Sequence, residues 1–451
     1  MSTEREIAHE ILRQLQMSAK IKSGRRYADL ADIKKQFKRS MMRKLYNNSI
    51  SRDDYETLSE WSNEDENEIN KANFIYENPF MYNVAQSIFE NIEAFCKSNP
   101  EIYTTRNIKE EDDDENDDDD ERVKEEVTFK DIPVWGTLDM EEFSAFVCTE
   151  DNAENIILIS SGMFLFAHLL SKVISQAFPI IYKNGEAVGI STDYKKAIKR
   201  IKKNKIISVR FIDLMLSYLL TDSAQEAKQY LIPEKYYNTI AGIFTEAFET
   251  FVLAHEYSHH NLGHLENKAE NNKITLEDIH LKHVDNFIDE VNADSLGAVI
   301  TIGVMGERHG IDRALPLVGI LLAMNTLKIF ERLKESDFNI DFNIKDSTMP
   351  SSPELPSSNF RKRFLFHSEG VIGSLNNLEL LEHVDKVFNE LFQEFRKFIT
   401  KTKKKHFGNE NVDFYTLQTL LYEIYENEKT DSQNNILQRI IKKMKSFCKK
   451  T

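Results

Sequence analysis

The sequence predicts an α+β protein, predominantly helical, with a small sheet beside one metal-binding helix. Three observations predict it. Apolar residues recur at helical spacing through Ile240, Ile243, Phe244, Ala247, Phe248, Phe251 and Val252, with no proline, and this run enters His255-Glu256-Tyr257-Ser258-His259. A second apolar helix opens at Asp289-Glu290-Val291-Asn292-Ala293-Asp294 and runs on through Ile300. Upstream, Phe143-Ser144-Ala145-Phe146-Val147 and the run from Ile156 to Ser160 are short apolar runs separated by a polar turn, lengths that suit core strands.

The first helix spans about six turns at 1.5 Å per residue. His255 and His259 lie four positions apart and project from one face, where two neutral imidazoles can hold a zinc ion with Glu256 beside an open coordination position. With 12 histidines in 451 residues, chance supplies about 0.03 such HExxH matches. Asn261-Leu262-Gly263 then supplies a helix stop.

Zinc needs a third protein ligand. The metzincin spacing fails, because Gly263 follows His259 by four positions and His264 by five. At 100° per residue His264 lies about 140° around the helix from His259, so it cannot share the ion while the helix continues. His260 and His264 are both expected off the metal face, against solvent or neighbouring backbone. His280, His283, Asp285 and Asp289 are alternative donors on the approach to the second helix. Glu290 differs from them in having Asp294 one turn later on the same face, with the small Ala293 between them to let two helices approach.

Glu290-x-x-Ala293-Asp294 resembles the ExxAD element of the gluzincin metallopeptidases. That resemblance implies a minimal gluzincin-like core, with Glu290 as third zinc ligand and Asp294 hydrogen-bonded to a ligand histidine. The 143–164 segment is similar to the hairpin that precedes HExxH in the family of prenyl-protein (CAAX) and heat-shock membrane peptidases. Pro356-Ser357-Ser358-Asn359-Phe360-Arg361 is similar to that family's HP…R element, except that no His precedes Pro356, and Arg361 is the candidate oxyanion or substrate contact. The motif pair also resembles soluble phage-exclusion Lit-type and ImmA-type peptidases, over roughly residues 127–370.

The expected chemistry is hydrolysis of a protein or peptide substrate. His255, His259 and Glu290 hold Zn2+, and Glu256 takes a proton from the attacking water and returns it to the leaving amine. The strand carrying Ile157 and Ile159 is expected to pair with an extended substrate backbone, as edge strands do. Two other readings are a catalytically silent interaction or sensor protein and a phage-defence protease that cleaves one cellular protein. The intact general base Glu256 opposes the first, because a structural zinc site has no use for it.

The flanking chain divides by charge. Residues 110–121 hold eleven acids in twelve positions, most of the formal net charge of −16, and are expected to form a disordered linker over 109–126. It separates an N-terminal helical region, 1–108, from the metallopeptidase core, 127–370; a C-terminal helical region with a basic tail follows over 371–451. Helical periodicity marks Ile7, Ile11, Leu12 and Leu15, then Phe80, Val84, Ile88, Phe89, Ile92 and Phe95, and finally Phe388, Leu391, Phe392 and Phe395. The basic residues over 20–45 read as a charged helix face rather than a nucleic-acid surface. Cys96, Cys148 and Cys448 have no metal or disulfide spacing, which fits a reducing cytoplasm. The polar start and apolar runs shorter than about 20 residues predict neither a secretory signal nor a membrane span. The sequence does not define an oligomeric state.

Overall fold

The structure, a computed structural model, describes residues 3–23, 79–99, 102–106, 123–127, 129–150, 152–191, 193–232, 234–265, 287–310, 314–334, 375–402 and 414–427. In chain order these form α1 (Glu4–Ser23), α2 (Pro79–Ser98), β1 (Ile102–Arg106), β2 (Val123–Val127), β3 (Val134–Leu138), β4 (Ala145–Cys148), β5 (Ile156–Ser160), α3 (Ser161–Ala177), β6 (Ile180–Lys183) and β7 (Glu186–Ile190). Then follow α4 (Tyr194–Lys203), α5 (Lys205–Thr221), α6 (Lys235–Asn261), α7 (Phe287–His309), α8 (Ala314–Lys334), α9 (Leu375–Thr402) and α10 over 414–427. The architecture is α+β and mainly helical, as the periodicities predict. No helix among the described residues is long and apolar enough to cross a membrane.

The sheet that matters for the site has three strands in the order β3-β5-β4, with β3 parallel and β4 antiparallel to β5. The expected β4–β5 hairpin is present. Its second strand is central, however, and this overturns the expected substrate-pairing role of Ile157 and Ile159. Ile157 is opposite both Trp135 and Val147, and Ile159 both Thr137 and Ala145, so neither edge of β5 is open to another strand. All-apolar Ile156–Ile159 signals this burial on both faces. Among the described residues, β4 is the edge strand on the cleft side.

Side chains alternate across β5 as strand geometry requires. Ile156 and Leu158 meet Ala8, Leu12, Leu15 and Ala19 of α1, whereas Ile157 and Ile159 enter the main core. The edge of β3 is covered as well: Gln16 Nε2 donates to the Thr137 carbonyl at 3.2 Å, and Trp135 stacks on Tyr82 of α2 with ring centroids 4.8 Å apart. Ser160 closes the strand and caps α3, its hydroxyl accepting from Met163 N at 3.2 Å and Ser144 N at 2.9 Å.

α6 is the central helix, packed by α7, α8 and α3. Tyr257, Phe244 and Phe248 are fully buried along it, each Phe contributing roughly 1.5–3 kcal/mol of transfer free energy. Packing runs across the boundaries expected near 108 and 370. Ile88, Phe89 and Ile92 of α2 share one core with Leu391, Phe392 and Phe395 of α9 and with Leu417 of α10. β2 occupies part of the expected 109–126 linker and pairs antiparallel with β1, Arg106 opposite Val123. The acidic tract itself lies outside the described residues.

Candidate metal centre

His255, Glu256 and His259 come from the last two turns of α6, and Glu290 and Asp294 from the first two turns of α7. What brings the two helices together there is Gly297. A Cβ at that position would lie 3.0 Å from His255 N and 3.1 Å from its Cα, so any side chain there would push α7 a few tenths of an ångström off the backbone that carries the first histidine. The buried Ala293 one turn earlier keeps the same seam narrow.

His255, His259 and Glu290 converge, each buried, with ligand atoms all within 4.8 Å of one another. The His255 and His259 Nε2 atoms are 3.1 Å apart, His255 Nε2 is 3.7 Å from Glu290 Oε2, and His259 Nε2 is 3.5 Å from Glu290 Oε1. Ligands about 2.05 Å from a tetrahedral zinc stand roughly 3.3–3.4 Å from one another; each imidazole here faces a different oxygen of Glu290, and one oxygen shared by both lies within 4.8 Å of them. The group can hold a metal ion.

The far nitrogens of both rings face other side chains. His255 Nδ1 is 3.0 Å from Asp294 Oδ1, the pair the ExxAD resemblance implies, although the angle falls short of a well-formed hydrogen bond; Asp294 is 1% exposed. Burial pushes the His255 imidazole down, but the Asp294 hydrogen bond and the charges of Asp294, Glu290 and Glu256 outweigh it and leave it above the usual histidine value. Three carboxylates around two imidazoles make a field that favours a cation.

His264 is where sequence reasoning fell short. It is off the metal face, as expected, yet meets neither solvent nor backbone alone: its Nδ1 is 2.8 Å from His259 Nδ1 and its Nε2 is 3.5 Å from Asp289 Oδ1. The helix ends before the 140° rotation applies. Gly263, at φ 70°, donates from its N–H to the His260 carbonyl at 3.3 Å, while His264 N–H reaches the His259 carbonyl at 3.2 Å. This pair of bonds is the Schellman closure, and it folds the chain back over the last turn. The Asn-Leu-Gly stop was the available signal for it. Asp289, weighed as an alternative to Glu290, is thereby directed to His264.

His260 is buried rather than solvated, its Nδ1 accepting from Asn155 Nδ2 at 2.9 Å. Behind the same turn, Lys130 N donates to Asn261 Oδ1 at 2.7 Å and the Tyr257 hydroxyl donates to the Lys130 carbonyl. These contacts fix the end of α6 to the segment that leads into β3 and, through Asn155, to the segment that leads into β5. Arg361, His280, His283 and Asp285 lie outside the described residues. Cys96 and Cys148 are buried thiols outside any disulfide, and burial pushes the Cys96 thiol up to about 12.

A cleft of about 150 Å³ opens over the triad, walled by Phe143, Phe251, Val252 and Leu327 and by Ala145, Phe146 and Val147 of β4. Its polar lining consists of His255, Glu256, His259, Glu290 and Asp294. No protein-family model, curated protein or solved structure matches this chain.

Proposed function

We propose that this chain is a zinc-dependent endopeptidase of the HExxH/ExxAD gluzincin type. The observation that carries the reading is the convergence of His255, His259 and Glu290, with ligand atoms within 4.8 Å of one another, in a cleft that also holds Glu256 and is bordered by β4, an edge strand among the described residues. Two imidazoles and one carboxylate match the donor set of catalytic zinc sites, which keep a fourth position for water. Zinc bound there supplies Lewis acidity and brings a water's pKa down to about 7.

The remaining steps belong to the chain's own residues. Glu256, buried within the cleft, accepts the water proton and delivers it to the leaving amine. The β4 edge offers its backbone N–H and C=O groups to an extended peptide, in place of β5. The cleft's volume suits one or two side chains rather than a folded segment, and its Phe143, Phe251, Val252 and Leu327 walls favour an apolar residue beside the scissile bond. A cytoplasmic setting rests on the cysteine pattern, and a defence role on the family resemblance alone.

The test compares wild type with Glu256→Gln. Zinc content and melting temperature should match, while new termini in a digested proteome, located by mass spectrometry, should fall by roughly 10²–10⁴-fold for want of the base. Equal cleavage by both proteins would remove Glu256 from the mechanism, and zinc-loaded wild type without any new termini would favour the non-cleaving sensor reading.

A further inference from the structure

We infer that His264 and Asp289 form a relay that holds His259 in the tautomer able to bind metal through Nε2, a positioning role that nothing in the HExxH and ExxAD motifs specifies. The inference rests on the metal-site reading, and it holds whether or not the centre cleaves peptides.

The proton accounting is restrictive. Each neutral imidazole has one N–H and one lone pair. His259 Nδ1 faces His264 Nδ1 at 2.8 Å, so one of the two nitrogens donates and the other accepts. If His264 donated, His259 would carry its own proton on Nε2, pointing at His255 Nε2 3.1 Å away, and would have no lone pair for an ion. Asp289 decides between the two arrangements. Its carboxylate, 3.5 Å from His264 Nε2, is an acceptor only, so it favours the proton on that nitrogen. His264 Nδ1 is then the acceptor, His259 Nδ1–H the donor, and His259 Nε2 keeps its lone pair toward His255 and Glu290.

The relay is also built to be rigid. His264 is tied to His259 twice, by the ring contact and by its backbone N–H on the His259 carbonyl. The side chains of His259, His264 and Asp289 are 2%, 7% and 16% exposed, so little water competes for these contacts. The two ligand histidines thus have different supports from opposite flanks of Glu290: Asp294 touches His255 directly, and Asp289 reaches His259 through His264.

The experiment uses the full chain and zinc alone. Zinc affinity is measured by chelator competition for wild type, His264→Leu, Asp289→Leu and the double variant, with cobalt(II) absorption spectra as the readout of ligand geometry. Each single variant should bind zinc about 10–100-fold more weakly, as loss of a group orienting a ligand does. The double variant should lose no more than the worse single one, because both act through one chain of bonds. The cobalt spectrum should change in all three, and His264→Gln, which retains an acceptor, should recover part of the loss.

Single variants with wild-type affinity and an unchanged cobalt spectrum would overturn the relay, as would losses that simply add. Nitrogen-15 NMR of the histidine rings in wild type decides the matter even where a variant fails to fold: the expected tautomers are Nδ1–H for His259 and Nε2–H for His264, and the reverse for His264 refutes the proposal. A wild-type chain that takes up no zinc would instead overturn the metal reading beneath it.

Discussion

Asp213 of α5 and Asp294 of α7 are both about 1% exposed and both lie within apolar helices, yet their surroundings differ in kind. Around Asp213 the fold has gathered donors. Gln418 Nε2 donates at 2.7 Å, Lys228 N at 2.9 Å and the Tyr422 hydroxyl at 3.0 Å, and the Lys228 ammonium lies over the Tyr422 ring at 3.6 Å. That carboxylate fastens α10 and the 228 segment to α5. Around Asp294 the fold has gathered acceptors: Glu290 and Glu256 share its neighbourhood, and the far nitrogens of the two imidazoles already face Asp294 and His264. A buried carboxylate ringed by donors is a fastener. One among other carboxylates and inward-facing imidazole nitrogens leaves a place for a cation, at a cost to the stability of the empty protein.

The largest expected effect breaks the second region and spares the first. Glu290→Ala should weaken zinc binding by at least about 100-fold, more than the loss of an orienting group does. It should leave the metal-free protein melting no lower than metal-free wild type, since it removes one of three crowded carboxylates. Calorimetry with and without zinc checks both halves. A metal-free variant several degrees less stable would mean that Glu290 is a structural residue.

Asp213→Leu should do the opposite. Depriving Gln418, Tyr422 and the Lys228 amide of their acceptor costs about 2–3 kcal/mol, read as a lower denaturation midpoint, while zinc stoichiometry stays at the wild-type value. A parallel loss of zinc would show that the two regions are coupled through the core.

Gly297→Ala probes the seam between α6 and α7. The new Cβ would press on His255 N and Cα, and the strain should cost roughly 1–2 kcal/mol together with a measurable drop in zinc affinity. Unchanged affinity at reduced stability would place the strain away from the ligand.

The smallest effect concerns pH. Burial raises the Asp213 carboxyl, against the opposing hydrogen bonds from Gln418, the Lys228 backbone and Tyr422. The folded state therefore keeps this proton to higher pH than the unfolded chain does. Between an ordinary aspartate pKa and the raised one, the native state binds more protons, so this group's contribution to stability falls as pH rises through that window and is constant on either side. Asp213→Asn lacks the term, and its stability relative to wild type should improve as pH increases from below the window to above it. A gap independent of pH would contradict the raised value.

The same contrast separates what the sequence makes legible from what it does not. Asp294 was legible because local periodicity and a motif spacing of four residues put it beside Glu290. Asp213 was not, because its partners at 228, 418 and 422 are brought to it only by the packing of distant segments. β5 was legible as a strand, but its central position depended on β3 pairing along its other side, which no local pattern encodes.

By itself the sequence determined the helical character of the chain, the two histidines on one face, the Glu290–Asp294 pair and the glycine stop after His259, because each follows from residue spacing within a single element. Tertiary structure decided the rest. It brought the two histidines and Glu290 together through the α6–α7 contact at Gly297, placed β4 at the sheet edge among the described residues, and folded His264 back onto His259 with Asp289 behind it. The physical reason is the same in each case: helical rotation and strand alternation are fixed by the local backbone, whereas which nitrogen faces which carboxylate depends on how closely two separate segments approach.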